Sequence, residues 1–174
     1  MTTYRTLREA NDARHIEWDP ADVSSHSFYA TELAGEMGEA LAACYLDQTS
    51  ITAVSEELAD TVICLDLVAR RFGITLTLPD AKKKSGHTIS SFADGIKLAA
   101  QVGFACNIIK KLEREELGMV GSRSTPAQLA VHLDAAAGHA AVIAATFGVD
   151  LQAAIADKFN KTSRKYGLAT MLEL

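Results

Sequence analysis

The sequence predicts an all-α protein, and three observations lead to this prediction. Ala and Leu dominate an apolar fraction of 48%, whereas aromatic residues make up only 6%. This composition is typical of packed helices rather than of sheets. Only three prolines interrupt the 174 residues, and no stretch shows the alternation of apolar and polar residues that indicates a strand.

We place six helices along the chain. Their predicted ranges are about 3–17, 27–46, 52–72, 88–116, 125–147 and 150–165. Four of these ranges are followed by residues that end a helix, namely Pro20, Gly73, Gly118 and Gly148. The fifth range begins at Thr125 and Pro126, which fit an N-cap residue followed by proline at the first helical position.

The chain also contains an internal repeat. Residues 33–40 (LAGEMGEA) align with residues 98–105 (LAAQVGFA), and residues 70–76 (RRFGITL) align with residues 145–151 (ATFGVDL). The offset is 65 residues in the first pair and 75 in the second, so the second copy has a longer connection. Chance similarity between Ala-rich helices is the alternative. We expect one compact domain built from two fused repeats, residues 1–80 and 81–174.

Acidic residues follow one face of the second predicted helix. Glu32, Glu36 and Glu39 stand at positions i, i+4 and i+7, so their side chains share a stripe. A solvated helix face normally mixes basic residues among its acids, because like charges at this spacing repel. This stripe contains no base, which indicates a role for the carboxylates other than solvation.

Two pairs of carboxylates are spaced for a metal site. Glu36-x-x-Glu39 lies on the second helix and Glu57-x-x-Asp60 on the third, and antiparallel packing would make the pairs face each other. Two charges about 4–5 Å apart repel by roughly 3–4 kcal/mol at an effective dielectric constant near 20. A hard divalent cation removes that cost, and oxygen ligands suit Mg²⁺ or Mn²⁺ rather than zinc. The chemistry typical of such a site is metal-assisted phosphoryl or pyrophosphoryl transfer.

The four carboxylates do not recur in the second repeat. The residues that align with them are, in the same order, Gln101, Phe104, His132 and Ala135. Acids that only solvate a helix would have little reason to change together. We therefore expect one working site, formed by the first repeat.

The carboxylate pattern resembles the E-x-x-E…E-x-x-D signature of the MazG-like all-α nucleoside triphosphate pyrophosphohydrolases. Residues 32–40 (ELAGEMGEA) and 56–69 (EELADTVICLDLVA) are similar to that family's two metal-binding helices. Residues 106–123 and 157–168 are similar to segments of its phage-type and bacterial-type members. Members usually pair as dimers of one such unit, so the resemblance implies a pseudo-dimer within one chain, which could dimerise again.

This resemblance implies a reaction and a cofactor. The family cleaves a nucleoside triphosphate between the α and β phosphates, giving monophosphate and pyrophosphate, with Mg²⁺ bound and Mn²⁺ as a possible substitute. The implied catalytic metal ligands are Glu36, Glu39, Glu57 and Asp60, with Glu32 and Glu56 orienting water or ligands behind them. The expected role is house-cleaning or control of the nucleotide pool.

Basic residues of the second repeat are predicted to bind the triphosphate. They are Lys110, Lys111, Arg114 and Arg123 near the long connection, and Lys158, Lys161, Arg164 and Lys165 near the C-terminus. For each of them a solvated helix face is the alternative. Trp18 is predicted either to stack on a nucleobase or to anchor the core. We expect His132 and His139 to be hydrogen-bonded core residues, and residues 81–86 (AKKKSG) to be a solvated linker.

Charge and cysteine content favour a cytosolic protein. The formal net charge of −5 argues against general binding of nucleic-acid polymers. Cys44, Cys64 and Cys106 are odd in number and lie in apolar stretches, so we expect buried free thiols in a reducing compartment. No signal-type segment begins the chain, and no run approaches the roughly 20 apolar residues that span a bilayer. A membrane partner is therefore not expected.

Two other classes of protein are alternatives to an enzyme. The first is a catalytically inactive helical scaffold or nucleotide-binding regulatory protein whose site is only half retained, although the intact quartet of acids speaks against it. The second is a ferritin-like metal bundle. That class requires Glu-x-x-His ligands, and the acidic motifs here contain no His.

Overall fold

The computed structural model describes residues 1–47, 50–78 and 91–174, and this part of the chain is almost entirely helical. Its helices are α1 (Leu7–Trp18), α2 (His26–Ala42), α3 (Ile51–Arg71), α4 (Ser91–Glu116), α5 (Pro126–Thr146) and α6 (Leu151–Tyr166). A π-helical segment, Ala43–Asp47, continues α2. The prediction of an all-α protein is thus confirmed. The proposed linker at 81–86 and the predicted first residues of the fourth helix, 88–90, lie outside the described residues.

The chain ends form a small sheet that the sequence pattern does not predict. β1 (Thr2–Tyr4) pairs in parallel with β2 (Thr170–Leu172), so the first helix begins at Leu7 rather than near residue 3. The side chain of Asn160 binds both the N–H and the C=O of Leu172 at 2.8 Å. Glu17 accepts the N–H groups of Ala169 and Thr170. Strands of three residues are too short to show an alternating pattern, and these contacts join both chain ends to α1 and α6.

The helices α3 and α5 begin and end in the same way. Each has 21 residues, and the side chains of Ser50 and Thr125 cap their first turns. Each ends at a glycine in the left-handed region, with φ of 64° at Gly73 and 71° at Gly148. The next residue then donates its N–H to a carbonyl in the last helical turn at 2.8 Å. Glycine is required there because a side chain disfavours this backbone conformation.

The helices enclose a single cluster of buried apolar side chains. Helices α2 and α4 are antiparallel, since Ser27 near the start of α2 contacts Glu113 near the end of α4, and Cys106 contacts Ala30. The large side chains Leu33, Leu58, Leu98 and Leu133 are fully buried in the cluster. Residues from both predicted repeats thus share the same core.

Two observations bear on thiols and membranes. All three cysteines are free, as predicted, but only Cys44 is buried, whereas Cys64 and Cys106 are partly exposed. Among the described residues, Phe92–Glu116 and Pro126–Thr146 are long and apolar enough to cross a membrane by length and composition alone. Core helices of soluble proteins meet the same criterion, so the cytosolic location stays a prediction.

Candidate functional site

Helices α2 and α3 bring three of the predicted metal ligands together. One carboxylate oxygen from each of Glu36, Glu39 and Glu57 lies within 4.8 Å of the others. Glu36 and Glu39 share a face of α2 because they are three residues apart, and Glu57 lies on the adjacent α3. Glu36 and Glu57 are partly buried, whereas Glu39 is exposed. We call these three residues the acidic triad.

The electrostatics of the acidic triad favour a bound cation. Burial, followed by the negative charges of Asp60, Glu39 and Glu57, raises the pKa of Glu36 to about 7. Burial is also the main cause that raises the pKa of Glu57. Glu36 and Glu57 therefore ionise less readily than carboxylates in water. A divalent ion would favour the charged forms.

Asp60, the fourth predicted ligand, contacts a lysine instead of joining the acidic triad. Its Oδ2 lies 2.6 Å from Nζ of Lys158 on α6, and both side chains are mostly buried. Burial raises the pKa of Asp60 although Lys158 opposes the shift. Burial lowers the pKa of Lys158, but its hydrogen bond to Asp60 and the nearby acids outweigh this effect and raise it. The charge of Lys158 also acts on the triad, since it lowers the pKa of Glu36 and of Glu57 against the larger effect of burial.

A second lysine of α6 binds the predicted supporting residue Glu56. Nζ of Lys161 lies 2.7 and 2.8 Å from the two carboxylate oxygens of Glu56. Lys158 lies 3.8 Å from the same carboxylate. The hydrogen bond from Lys161 is the main cause that lowers the pKa of Glu56. Glu56 thus joins α3 to α6.

A cavity of about 540 Å³ is bordered by α1, α2, α3 and α6, and Glu36 is the member of the acidic triad that lines it. This volume lies within the range of roughly 300–1,000 Å³ that is typical of small-molecule sites. The predicted site residues that line it are Trp18, Glu32, Glu36, Asp60, Lys158, Lys161 and Lys165. The structure thus brings three of the C-terminal lysines together with the carboxylates of the first repeat.

Trp18 lies at the edge of this cavity and not in the core. Its side chain is 52% exposed and packs edge-on against Tyr166, with ring centroids 5.1 Å apart. This exposure is incompatible with the core-anchor interpretation. Stacking on a nucleobase stays a prediction.

The other predicted phosphate-binding residues lie away from the cavity. Arg114 donates to the carbonyl of Ser122 at 2.7 Å, and Arg123 pairs with Glu115 at 2.7 Å. The predicted phosphate ligands that do not line the cavity are Lys110, Lys111, Arg114, Arg123 and Arg164. Most of this group surrounds the end of α4 and the loop after it, where two arginines hold local contacts.

Polar residues of α1 complete the cavity, and the sequence analysis missed them. Asn11 and Arg14 are both buried, and Asn11 donates to Asp66 at 2.8 Å. Arg14 donates to the carbonyl of Phe159 at 3.2 Å and lies 3.5 Å from the centre of its ring. Burial lowers the pKa of Arg14 to about 10. Asn11, Arg14 and Trp18 stand at i, i+3 and i+7, which places them on one face of α1. This spacing is the sequence signal that was overlooked.

A second group of possible metal ligands is explained by its own contacts. His15, Asp19 and Asp22 offer atoms within 4.8 Å of one another. Asp22 binds His15 at 2.9 Å and Arg71 at 2.6 Å. Asp19 accepts three hydrogen bonds from Val23 and Ser24, and the side-chain bond from Ser24 is the main reason that its pKa falls to about 2. These residues fasten the turn between α1 and α2.

Both histidines of the second repeat have polar partners, as predicted. Nδ1 of His132 lies 2.7 Å from the side-chain oxygen of Gln101. Nδ1 of His139 lies 3.2 Å from the carboxylate of Asp94. Both side chains are partly exposed rather than in the core. Their contacts explain them without a metal.

No family model, curated protein or solved structure matches the chain. The resemblance to the MazG-like family therefore depends on the carboxylate motif and stays a prediction.

Proposed function

We propose that this protein is a Mg²⁺-dependent nucleotide pyrophosphohydrolase of the MazG-like type. It converts a nucleoside or deoxynucleoside triphosphate and water into the monophosphate and pyrophosphate. The observation that carries the proposal is that Glu36 of the acidic triad lines a cavity of nucleotide size whose wall also contains lysines of α6. Carboxylates and lysines on one cavity are what a complex of Mg²⁺ and triphosphate requires.

The acidic triad fits Mg²⁺ by its chemistry. All three ligands are carboxylate oxygens, which Mg²⁺ prefers. Two oxygens bound to one Mg²⁺ at about 2.1 Å lie at most about 4.2 Å apart, so the triad's oxygens, which lie within 4.8 Å of one another, would draw together around a bound ion. When bound, the ion would neutralise phosphate charge and make the attacked phosphorus more electrophilic.

The residues of the chain would divide the remaining work. Lys158, Lys161 and Lys165 would bind phosphate oxygens and hold the substrate beside the triad. A carboxylate of the site would accept a proton from the attacking water as its oxygen bonds to phosphorus. The bridging P–O bond between the α and β phosphates then breaks, and pyrophosphate leaves with the bond electrons.

We also propose that the fold consists of two fused repeats, the second of them degenerate. Matching ends of α3 and α5 support this proposal. Gln101, Phe104 and His132, which align with the triad, also contact one another: His132 binds Gln101 at 2.7 Å, and its ring lies 5.2 Å from that of Phe104. A repeat explains why the aligned residues meet in both halves, with acids in only one.

Product analysis tests the proposed reaction. The protein would be incubated with Mg²⁺ and each of the common NTPs and dNTPs, and the products separated by ion-exchange chromatography. We expect monophosphate and pyrophosphate from the wild type and none from Glu57→Gln, which removes one triad charge. Glu115→Gln, at an exposed acid outside the cavity, is the matched control and should act as the wild type does.

Other outcomes would contradict the proposal in distinct ways. Release of inorganic phosphate and a nucleoside diphosphate would show that the bond between the β and γ phosphates is cleaved instead. Absence of turnover with every nucleotide would favour the inactive scaffold or nucleotide-binding regulatory protein. Equal activity of Glu57→Gln and the wild type would place the reaction outside the triad.

A further inference from the structure

A buried amide with a fixed orientation lines the cavity. Asn11 is 0% exposed, and its Nδ2 lies 2.8 Å from Oδ2 of Asp66. A carboxylate only accepts hydrogen bonds, so the NH₂ group of Asn11 must face Asp66. Arg8 holds that carboxylate in place through Nε at 3.1 Å and Nη2 at 2.8 Å. The amide is therefore not free to exchange its nitrogen and oxygen.

The oxygen of this amide has no partner among the residues that the structure describes. Oδ1 of Asn11 is buried and makes no hydrogen bond within the described residues. An acceptor left in this state is costly, and most buried polar groups in proteins are paired. Because Asn11 lines the cavity, a molecule bound there is the natural source of the missing donor.

A donor lies on the same face of α1, three residues further along. The guanidinium of Arg14 is held against the ring and the carbonyl of Phe159. That bond, from Nη1, is its only hydrogen bond among the residues that the structure describes. Arg14 also lines the cavity. One acceptor and several spare N–H donors thus lie in one region of its wall.

The neighbouring walls suit a flat, largely apolar group. Ile63 and Leu67 of α3 line the cavity, together with the aromatic side chains of Phe28, Tyr29 and Trp18. Small-molecule sites typically combine apolar walls with a few fixed polar atoms that decide specificity. A nucleobase has flat apolar faces and a polar edge, and it matches this arrangement.

We propose that this region is a base-recognition subsite, in which the nucleobase donates an N–H from its Watson–Crick edge to Oδ1 of Asn11. The guanidinium of Arg14 donates to an acceptor on the same edge. This inference rests on the proposed function and narrows its substrate class. The substrates are nucleotides whose base has an intact Watson–Crick edge, and nucleotides altered at that edge are excluded.

The test compares bases that differ by one N–H donor. Binding of nucleoside monophosphates to the wild type would be measured by titration calorimetry without metal. The pairs are adenine with purine, cytosine with pyrimidin-2-one, and uracil with 3-methyluracil. Guanine is paired with 1-methylguanine, which lacks the N1–H donor, and with hypoxanthine, which lacks the 2-amino donor. We expect the base that binds most tightly to lose about tenfold or more in affinity when its donor is removed, because the buried acceptor then stays unpaired.

The Asn11→Leu variant separates hydrogen bonding from shape. The leucine side chain has a similar volume but no acceptor. Where the preferred base and its partner differ by a deleted donor and not by an added methyl group, the difference in affinity between them should shrink to about threefold or less. Thermal unfolding of the variant reports whether it folds. If it does not fold, the wild-type pairs decide alone. Binding within about threefold for every one of these pairs would overturn the subsite.

Failure of the subsite and failure of the reaction are distinguishable. The binding experiment needs neither Mg²⁺ nor cleavage. Discrimination between the paired bases without turnover of any triphosphate would support the subsite and contradict the pyrophosphohydrolase. Turnover of triphosphates without discrimination would overturn the subsite and leave the reaction intact.

Discussion

Nζ of Lys158 lies 2.6 Å from the carboxylate of Asp60, so an ammonium group of the protein itself neutralises the fourth predicted metal ligand. The acidic triad beside it has no such partner among the described residues. A positive charge that is held here attracts phosphate oxygens but repels a metal ion at the triad. Lys158 should therefore act in opposite directions on the two ligands.

Replacing this lysine should tighten metal binding while it weakens nucleotide binding. For Lys158→Gln we expect about a tenfold gain in Mn²⁺ affinity, measured without nucleotide. The repulsion between one ammonium group and a metal ion bound nearby is worth on the order of 1–3 kcal/mol at an effective dielectric constant near 20. Triphosphate affinity should fall by a similar factor. Electron paramagnetic resonance of free Mn²⁺ and nucleotide titration measure the two effects. The control is Lys165→Gln, which removes a cavity lysine outside the Lys158–Asp60 pair. An unchanged Mn²⁺ affinity of the Lys158→Gln variant would refute the expectation.

Metal-free protein should lose stability as the pH rises from about 4.5 to about 7. The folded state raises the pKa of Glu36 to about 7 from 4.5, so in this window the unfolded chain releases a proton that the folded chain retains. Deprotonation thus favours unfolding, and the loss is complete above the folded pKa. Because the site is partly open to solvent, we expect a loss of only about 1–2 kcal/mol.

Chemical denaturation at pH 5 and pH 8 measures this difference. Glu36→Gln cannot titrate and should show a smaller loss, and it should be more stable than the wild type at pH 8. Saturating Mg²⁺ should restore the stability of the wild type at pH 8, because it binds the folded state alone. An identical pH dependence in the variant would contradict the role given to Glu36.

The sequence predicts what depends on local spacing. Glu36 and Glu39 share a helix face because of their separation along the chain, and the ends of α3 and α5 follow from capping residues and glycines. Which lysines reach the cavity depends on how α6 packs against α3, and spacing does not determine this. Charge composition alone therefore groups Lys110 and Lys111 with Lys158, although only Lys158 lines the cavity.

Other features were missed for physical reasons of their own. Asn11 and Arg14 were not singled out because polar side chains are usually exposed, and only burial beside Asp66 and Phe159 gives them a site role. The terminal strands pair residues 2–4 with residues 170–172. A contact over such a sequence distance leaves no local pattern in either segment.

Restoring acids to the second repeat should create a second metal site. The variant carries Gln101→Glu, Phe104→Glu and His132→Glu, at three positions of which the last contacts the other two. If the halves are repeats, these side chains should meet as the triad does and bind about one further Mn²⁺ per chain. Calorimetry measures the stoichiometry, and the single Gln101→Glu variant is the control. A folded triple variant with unchanged stoichiometry would argue that the two halves are not equivalent.

Trp18 should report nucleotide binding directly. It is the only tryptophan of the chain, it lines the cavity, and its ring is held by an edge contact with Tyr166. Stacking of a base on this ring should change its fluorescence on titration with monophosphates. Because stacking of one base on an aromatic side chain is worth about 1–3 kcal/mol, Trp18→Ala should weaken binding by about tenfold or more, as measured by calorimetry. Trp18→Phe keeps an aromatic face and should lose less. If Trp18→Ala binds as the wild type does, the base does not contact this side of the cavity, and the subsite at Asn11 must receive it without stacking on Trp18.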